Sequence, residues 1–170
     1  MDAKPRRTLE ITVISGEKIR VDQNPVAENV YVVIRPEFIN CYTTKIGIRE
    51  EGLIAWNEKF LLDIPMHAKL VTFEVQCKKY KGSRPIGVAR IALSDLEGVE
   101  ENNFLQMFSY GLTDWDGRRN GVIHFSIRDC LISEMKHVMG ISSCGFEHQV
   151  MGFQVNEKKS NDVVIAMTSR

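Results

Sequence analysis

The chain has no apolar run near the roughly 20 residues that a membrane-spanning helix needs. It has no excess of charge of either sign: 22 Lys and Arg stand against 22 Asp and Glu. No global field therefore draws nucleic acid or a membrane, and an electrostatic partner has to be read by a local patch. There is no aromatic row interleaved with cations, so nucleic acid is not an expected partner. Gly-x-Ser-x-Gly, His-Glu-x-x-His and a glycine-rich phosphate loop are all missing, so nothing marks an enzyme. The first seven residues are basic with no apolar stretch behind them, which is not a secretory signal. Asp2 stands where myristoylation needs glycine, and no prenylation box closes the chain. A cytoplasmic protein with reduced thiols is expected. The four cysteines are scattered. Cys130, His137, Cys144 and His148 hold soft ligands, but without the close Cys pair that clasps zinc. Cys41 and Cys77 fall in strand-like segments and read as small core residues. The first 129 residues also lack any helical period of ten residues or more, which excludes alternating βαβ architecture.

What is present is alternation. In residues 70–96, Val71, Phe73, Val75 and Cys77 share one face, and Thr72, Glu74 and Gln76 share the other. That is a half-buried strand. Pro85 opens a second strand through Ile86 and Val88, at a position where a missing N–H does least harm. Between them lie Lys78, Lys79, Tyr80, Lys81 and Arg84, with no acid. Residues 78–84 therefore read as a basic loop. Further strands are expected at residues 8–15, 29–36, 41–46, 56–64, 104–112 and 122–128, with charged loops at 16–28 and 47–55. Ser94 caps a short helical turn, and residues 114–121 form a turn with two glycines. Eight short strands separated by turns imply an all-β, antiparallel sandwich or barrel over residues 1–129. After Cys130 the period becomes helical through Leu131, Ile132, Met135, Val138 and Met139, with Gly140 as a stop. Residues 130–170 are expected to be a weakly structured C-terminal tail that ends in the apolar run Val163-Val164-Ile165-Ala166-Met167.

Four stretches, in order, resemble the C2 domain family: Leu9-Glu10-Ile11-Thr12-Val13, Asn29-Val30-Tyr31-Val32-Val33-Ile34, Trp56-Asn57-Glu58-Lys59-Phe60, and Ile86-Gly87 followed by Ile91-Ala92-Leu93-Ser94-Asp95-Leu96. The closing Gly121-Val122-Ile123-His124-Phe125-Ser126-Ile127 is similar to the final strand of small plant C2 proteins, including the BONZAI-associated proteins that bind copines. The resemblance implies an all-β, eight-stranded antiparallel Greek-key β-sandwich with three loops at one tip, which here would be 16–28, 47–55 and 78–84. In the family such a tip holds calcium with about five acids. Asp22 matches the first acid, Asn29 stands where the second usually stands, and the third loop carries cations instead. Calcium takes six to eight oxygens, several of them carboxylates, so no calcium or other cofactor is expected.

Lys78, Lys79, Tyr80, Lys81 and Arg84, with Lys18 and Arg20, are the expected contact residues for anionic phospholipid. Each Lys or Arg near such a surface contributes about 1 kcal/mol. The alternative is that these charges are solvated and the chain is a pure protein-interaction adaptor. What the resemblance implies is a non-enzymatic module, peripheral at the membrane, with a copine-like C2 protein as partner and a role in plant defence, stress or cell-death control.

Overall fold

In the computed structural model, the structure describes residues 4–25, 28–96 and 105–130, together with the backbone of 151–157 and 163–169. The strands are β1 (Arg6–Glu17), β2 (Arg20–Val21), β3 (Asn24–Pro25), β4 (Val30–Pro36), β5 (Tyr42–Thr43), β6 (Ile48–Glu50), β7 (Leu53–Pro65), β8 (Leu70–Lys79), β9 (Gly82–Ala92), β10 (Gln106–Thr113), β11 (Arg119–Asp129), β12 (Met151–Glu157) and β13 (Val163–Ser169). A single 3₁₀ turn, Leu93–Leu96, follows β9 at the place where Ser94 predicted a short helical turn.

Nine of these strands join in the order β5-β4-β8-β9-β10-β11-β1-β7-β6. The sheet curls into two antiparallel layers. β5-β4-β8-β9 form one, and β10-β11-β1-β7-β6 form the other. Only the pair Thr113↔Val88 links β10 to β9, and that is where the sheet turns over. The alternation in the sequence matches the buried face. Val71, Phe73 and Val75 of β8 are fully buried against Leu9, Ile11 and Val13 of β1, Leu62 and Ile64 of β7, and Ile123 and Phe125 of β11. Each large apolar side chain buried in this way contributes about 1.5–3 kcal/mol. Phe125 lies at the centre. Its ring stacks on Phe73 of the opposite layer at 4.6 Å and on Phe108 at 5.4 Å.

The expected basic loop 78–84 is in fact mostly strand. Lys78 pairs with Ser83 and Lys79 with Gly82, so only Tyr80 and Lys81 turn. Exposed strand ends carry no hydrophobic period, which is why alternation stops at Cys77 while the ladder continues. Pro85 lies inside β9 and does not open it. The register shifts there, with Val75 opposite Gly87 and Gln76 opposite Pro85, and a bulge tolerates the missing N–H. The expected loop 47–55 contains the hairpin β6–β7. It is closed by Glu51 and Gly52, both at positive φ (47° and 88°), the two-residue turn whose twist suits a hairpin. The expected loop 16–28 contains β2 and β3, closed in the same way by Asp22 and Gln23 at φ 50° and 70°.

The expected third strand over 41–46 shrinks to Tyr42–Thr43, and Cys41 is exposed and not a core residue. Cys77 is buried, as expected. Phe104, the helical spacing over 131–139 and Gly140 lie outside the described residues. In the expected tail, β12 and β13 pair antiparallel, and β13 lies alongside β10.

Candidate functional site

The Trp-Asn-Glu stretch of β7 organises one end of the sandwich. The register of β1 on β7 runs from Val13↔Glu58 to Ser15↔Ala55, so Trp56 and Asn57 bulge opposite Ile14. Asn57 takes φ 46°, which Asn tolerates better than most residues. Trp56 Nε1 donates to the carbonyl of Val30 at 3.1 Å, and Glu58 Oε2 accepts the Lys45 N–H at 2.8 Å. The indole needs bare neighbours. A Cβ on Gly47 would lie 2.7 Å from Trp56 Nε1, and one on Gly16 would lie 3.0 Å from its Cη2.

Asn120, at the start of β11, ties three elements together at this same end. Its Oδ1 accepts the Arg20 N–H at 2.9 Å. Its Nδ2 donates to the Arg20 carbonyl at 2.8 Å and to the Ile86 carbonyl at 2.6 Å. The result is a cleft of about 480 Å³ between the β2–β3 hairpin, the start of β9 and the β10–β11 turn. Lys18, Arg20, Asp22 and Arg84 line it, joined by Trp115 and Arg118 from that turn. Asp114 fixes the turn by accepting the Asp116 and Arg118 N–H groups on Oδ1, both at 2.9 Å.

The seven predicted contact residues do not form one patch. Lys18, Arg20 and Arg84 share the cleft. Lys78 lines a separate groove with Lys45 and Ser83 on the outer face of β4 and β8. Lys79, Tyr80 and Lys81 form the exposed tip of the β8–β9 hairpin, with Tyr80 wholly exposed. Trp115, Arg118 and Asn120 were not predicted. Their stretch reads only as a turn, and its partners Arg20 and Ile86 are distant in sequence.

Arg84 Nη1 lies 3.0 Å from Oδ1 and 3.1 Å from Oδ2 of Asp22, so a cation pairs with the acid expected as the first calcium ligand. Asn29 does not line the cleft. It sits at φ 62°, and its backbone carbonyl accepts the Lys78 N–H at 2.8 Å. Among the described residues no three His, Cys, Asp or Glu side chains come together as a metal set.

Two other reactive groups are committed to structure. His124 Nδ1 is 2.6 Å from the buried Ser109 hydroxyl and its Nε2 is 3.6 Å from Glu17, so both ring nitrogens face partners. Burial, and then the carboxylate of Glu10, push the Cys130 thiol up. No helix among the described residues is long and apolar enough to cross a membrane.

Comparison with known proteins fits this geometry. BON1-associated protein 2 of Arabidopsis thaliana is 28% identical over 127 residues, which is 72% of this chain and 61% of that protein, so the chain spans about three-fifths of the relative's length. A C2 domain of plant Extended Synaptotagmin 1 superposes with a TM-score of 0.61 at 16% identity, over 75% of this chain and 96% of that one. Human GIVD cytosolic phospholipase A2 gives 0.57 at 14% identity, over 76% of this chain and 16% of that one. Both structures share the fold. The sequence profile of the C2 domain matches residues 7–110, and with the curled antiparallel sandwich around Phe125 this chain belongs to the C2 domain family.

Proposed function

We propose that this C2 domain is a non-enzymatic module that docks, without calcium, on anionic phospholipid membranes through its cationic tip. In this reading it is cytoplasmic and peripheral at the membrane. The observation that carries the reading is the contact between Arg84 and Asp22, which puts protein cation where a calcium-dependent tip would need free carboxylate. Beside it the β8–β9 hairpin presents Lys79, Tyr80 and Lys81 to solvent, a cationic pair around an aromatic ring suited to an interface.

At about 1 kcal/mol per cation near an anionic surface, Lys18, Arg20, Lys79 and Lys81 together supply roughly 4 kcal/mol. That corresponds to binding near the millimolar range, steeply weakened by salt. Such a module needs a second contact, and a partner already at the membrane supplies one through effective concentration. The similarity to BON1-associated protein 2, whose name states an association, supports a protein partner. We take that partner to be a copine-like C2 protein and the role to be regulatory, in plant defence, stress or cell-death signalling.

Co-sedimentation with vesicles tests this. Binding is expected to phosphatidylserine-containing but not pure phosphatidylcholine vesicles, equally in calcium and in chelator, and to fall steeply between about 50 and 200 mM salt. Absence of binding to phosphatidylserine at low salt would leave the pure adaptor.

A further inference from the structure

We infer that the outer edge of β7 is a self-association surface, on which a second copy of this chain pairs its own β7 antiparallel about a two-fold axis at Leu61. β6 pairs with β7 only over Leu53–Ala55, and the bulge at Trp56 and Asn57 follows directly. From Glu58 to Ile64, β7 has a strand partner on one side only, β1, among the described residues. The segment 42–45 meets this stretch through inward side chains. The Lys45 N–H lies on the Glu58 carboxylate, and the Tyr42 ring is 6.0 Å from that of Phe60. Hydrogen bonds at the far end of β1 show which way the β7 backbone turns. The Pro5 carbonyl accepts the Met66 N–H and the Thr8 carbonyl accepts the Cys130 N–H, so here odd residues of β1 face β7 and even ones face β11. Leu9 and Ile11 therefore bond Leu62 and Phe60, which leaves the N–H and C=O groups of Lys59, Leu61 and Asp63 on the open edge. Such a row is a template for another strand.

The side chains of the same three residues name the occupant. Lys59, Leu61 and Asp63 share the outer face, and Leu61 is 60% exposed. A strand guarded against its own copy carries charges of one sign, which repel across the axis. Here the signs are opposite, at equal distances on either side of a leucine. In the register centred on Leu61, the leucine meets its copy, and Lys59 of each chain stands directly opposite Asp63 of the other. Any other antiparallel register loses both ion pairs. Each charge has a partner on its own chain: Lys59 lies on Glu10 at 3.1 Å and Asp63 on Arg6 at 2.8 Å, and the Asp63 carbonyl accepts from Arg6 at 2.6 Å. These contacts leave capacity to spare, since an ammonium has three donors, a carboxylate about four acceptor sites and a carbonyl two lone pairs. β7 starts at the cationic tip and runs away from it, so an antiparallel pair points the two tips in opposite directions. On the membrane reading above, the dimer joins two anionic surfaces.

Sedimentation equilibrium of the full chain at low salt, from about 1 μM to 1 mM, tests the pairing without lipid. A monomer–dimer equilibrium is expected. Lys59→Asp and Asp63→Lys each set like charges opposite one another at both ion-pair positions, and each should weaken the dimer about tenfold or more. An equimolar mixture of the two variants should associate again, because one chain then brings two acids and the other two lysines. Leu61→Lys keeps both on-chain pairs, sets two cations against each other on the axis, and should abolish the dimer. All three side chains are exposed, so nearly unchanged melting temperatures in dilute solution are expected and confirm that the variants are folded. A parent chain that stays monomeric throughout, variants that dimerise as the parent does, or a mixture of folded variants that stays monomeric would each overturn the inference. The second readout is the turbidity of phosphatidylserine vesicles at concentrations where the dimer is populated. The parent chain should cluster them, and Leu61→Lys should bind without clustering. Equal clustering by Leu61→Lys would overturn the opposed tips. A dimer that binds no vesicles would remove the membrane reading and support the edge pairing alone.

Discussion

Arg84 on β9 and Asp22 in the β2–β3 turn, 62 residues apart, meet at 3.0 Å across the tip of the sandwich. Both side chains are more than half exposed, so the pair adds at most about 1 kcal/mol to stability. Its consequence is chemical. It ties up the carboxylate that the family resemblance would make the first metal ligand.

Calcium should therefore leave the melting temperature nearly unchanged. A ligand at 100 times its Kd adds about 2.7 kcal/mol, which moves a domain of this size by several degrees. Thermal unfolding with micromolar calcium and with chelator should superpose. A rise of several degrees would show that Asp22 leaves Arg84 to bind metal.

Replacing Lys79 and Lys81 with Gln should shift stability by no more than about 0.5 kcal/mol, because solvated hairpin charges do little for folding. Binding to phosphatidylserine vesicles should fall by roughly 2 kcal/mol, about thirtyfold, and lose part of its salt dependence. Vesicle titration at two salt concentrations measures both. Undiminished binding by a folded double variant would remove the hairpin from the membrane contact.

How much of this could be read from the sequence follows burial. Val71, Phe73, Val75 and Cys77 alternate because one face meets the core, and the structure buries all four. The hairpin tip carries no such signal. Lys78 and Lys79 pair with Ser83 and Gly82 although both faces of the ladder are wet there, so they read as loop. The cations of the cleft were visible as residues but not as a group. Arg84 joins Arg20 because β9 and the first loop meet at one end, and Lys78 leaves them because successive strand residues face opposite ways. Asn120 acts across 100 residues on Arg20, a relation that only the topology creates.

The cysteines should separate by burial and chemistry. In a Cys144→Ser background, Cys41, which is exposed, should react with a thiol reagent first. Cys130 should follow about tenfold or more slowly at neutral pH, since burial and Glu10 disfavour its thiolate, the reactive form. Cys77 should react only on unfolding. Timed labelling followed by peptide mass mapping checks the order, and early modification of Cys77 would mean that the pairing of β8 with β4 or β9 opens readily.

The last prediction concerns the frame that sets the tip. Gly47 and Gly16 leave room for the Trp56 ring, and Trp56 Nε1 holds the start of β4 through the Val30 carbonyl. A methyl group on Gly47 would run into Ile54 Cγ2 as well as the indole nitrogen, and neither can retreat, since Ile54 is buried in the core cluster. Gly47→Ala should therefore cost about 1–3 kcal/mol by overpacking. Trp56→Phe keeps most of the apolar surface but removes one of two donors to the Val30 carbonyl, leaving the Gly47 N–H as the other. That loss should cost about 1 kcal/mol. Urea unfolding measures both, and the midpoint should fall with the slope unchanged. If Gly47→Ala folds as stably as the parent, the indole is free to move and does not brace the start of β4.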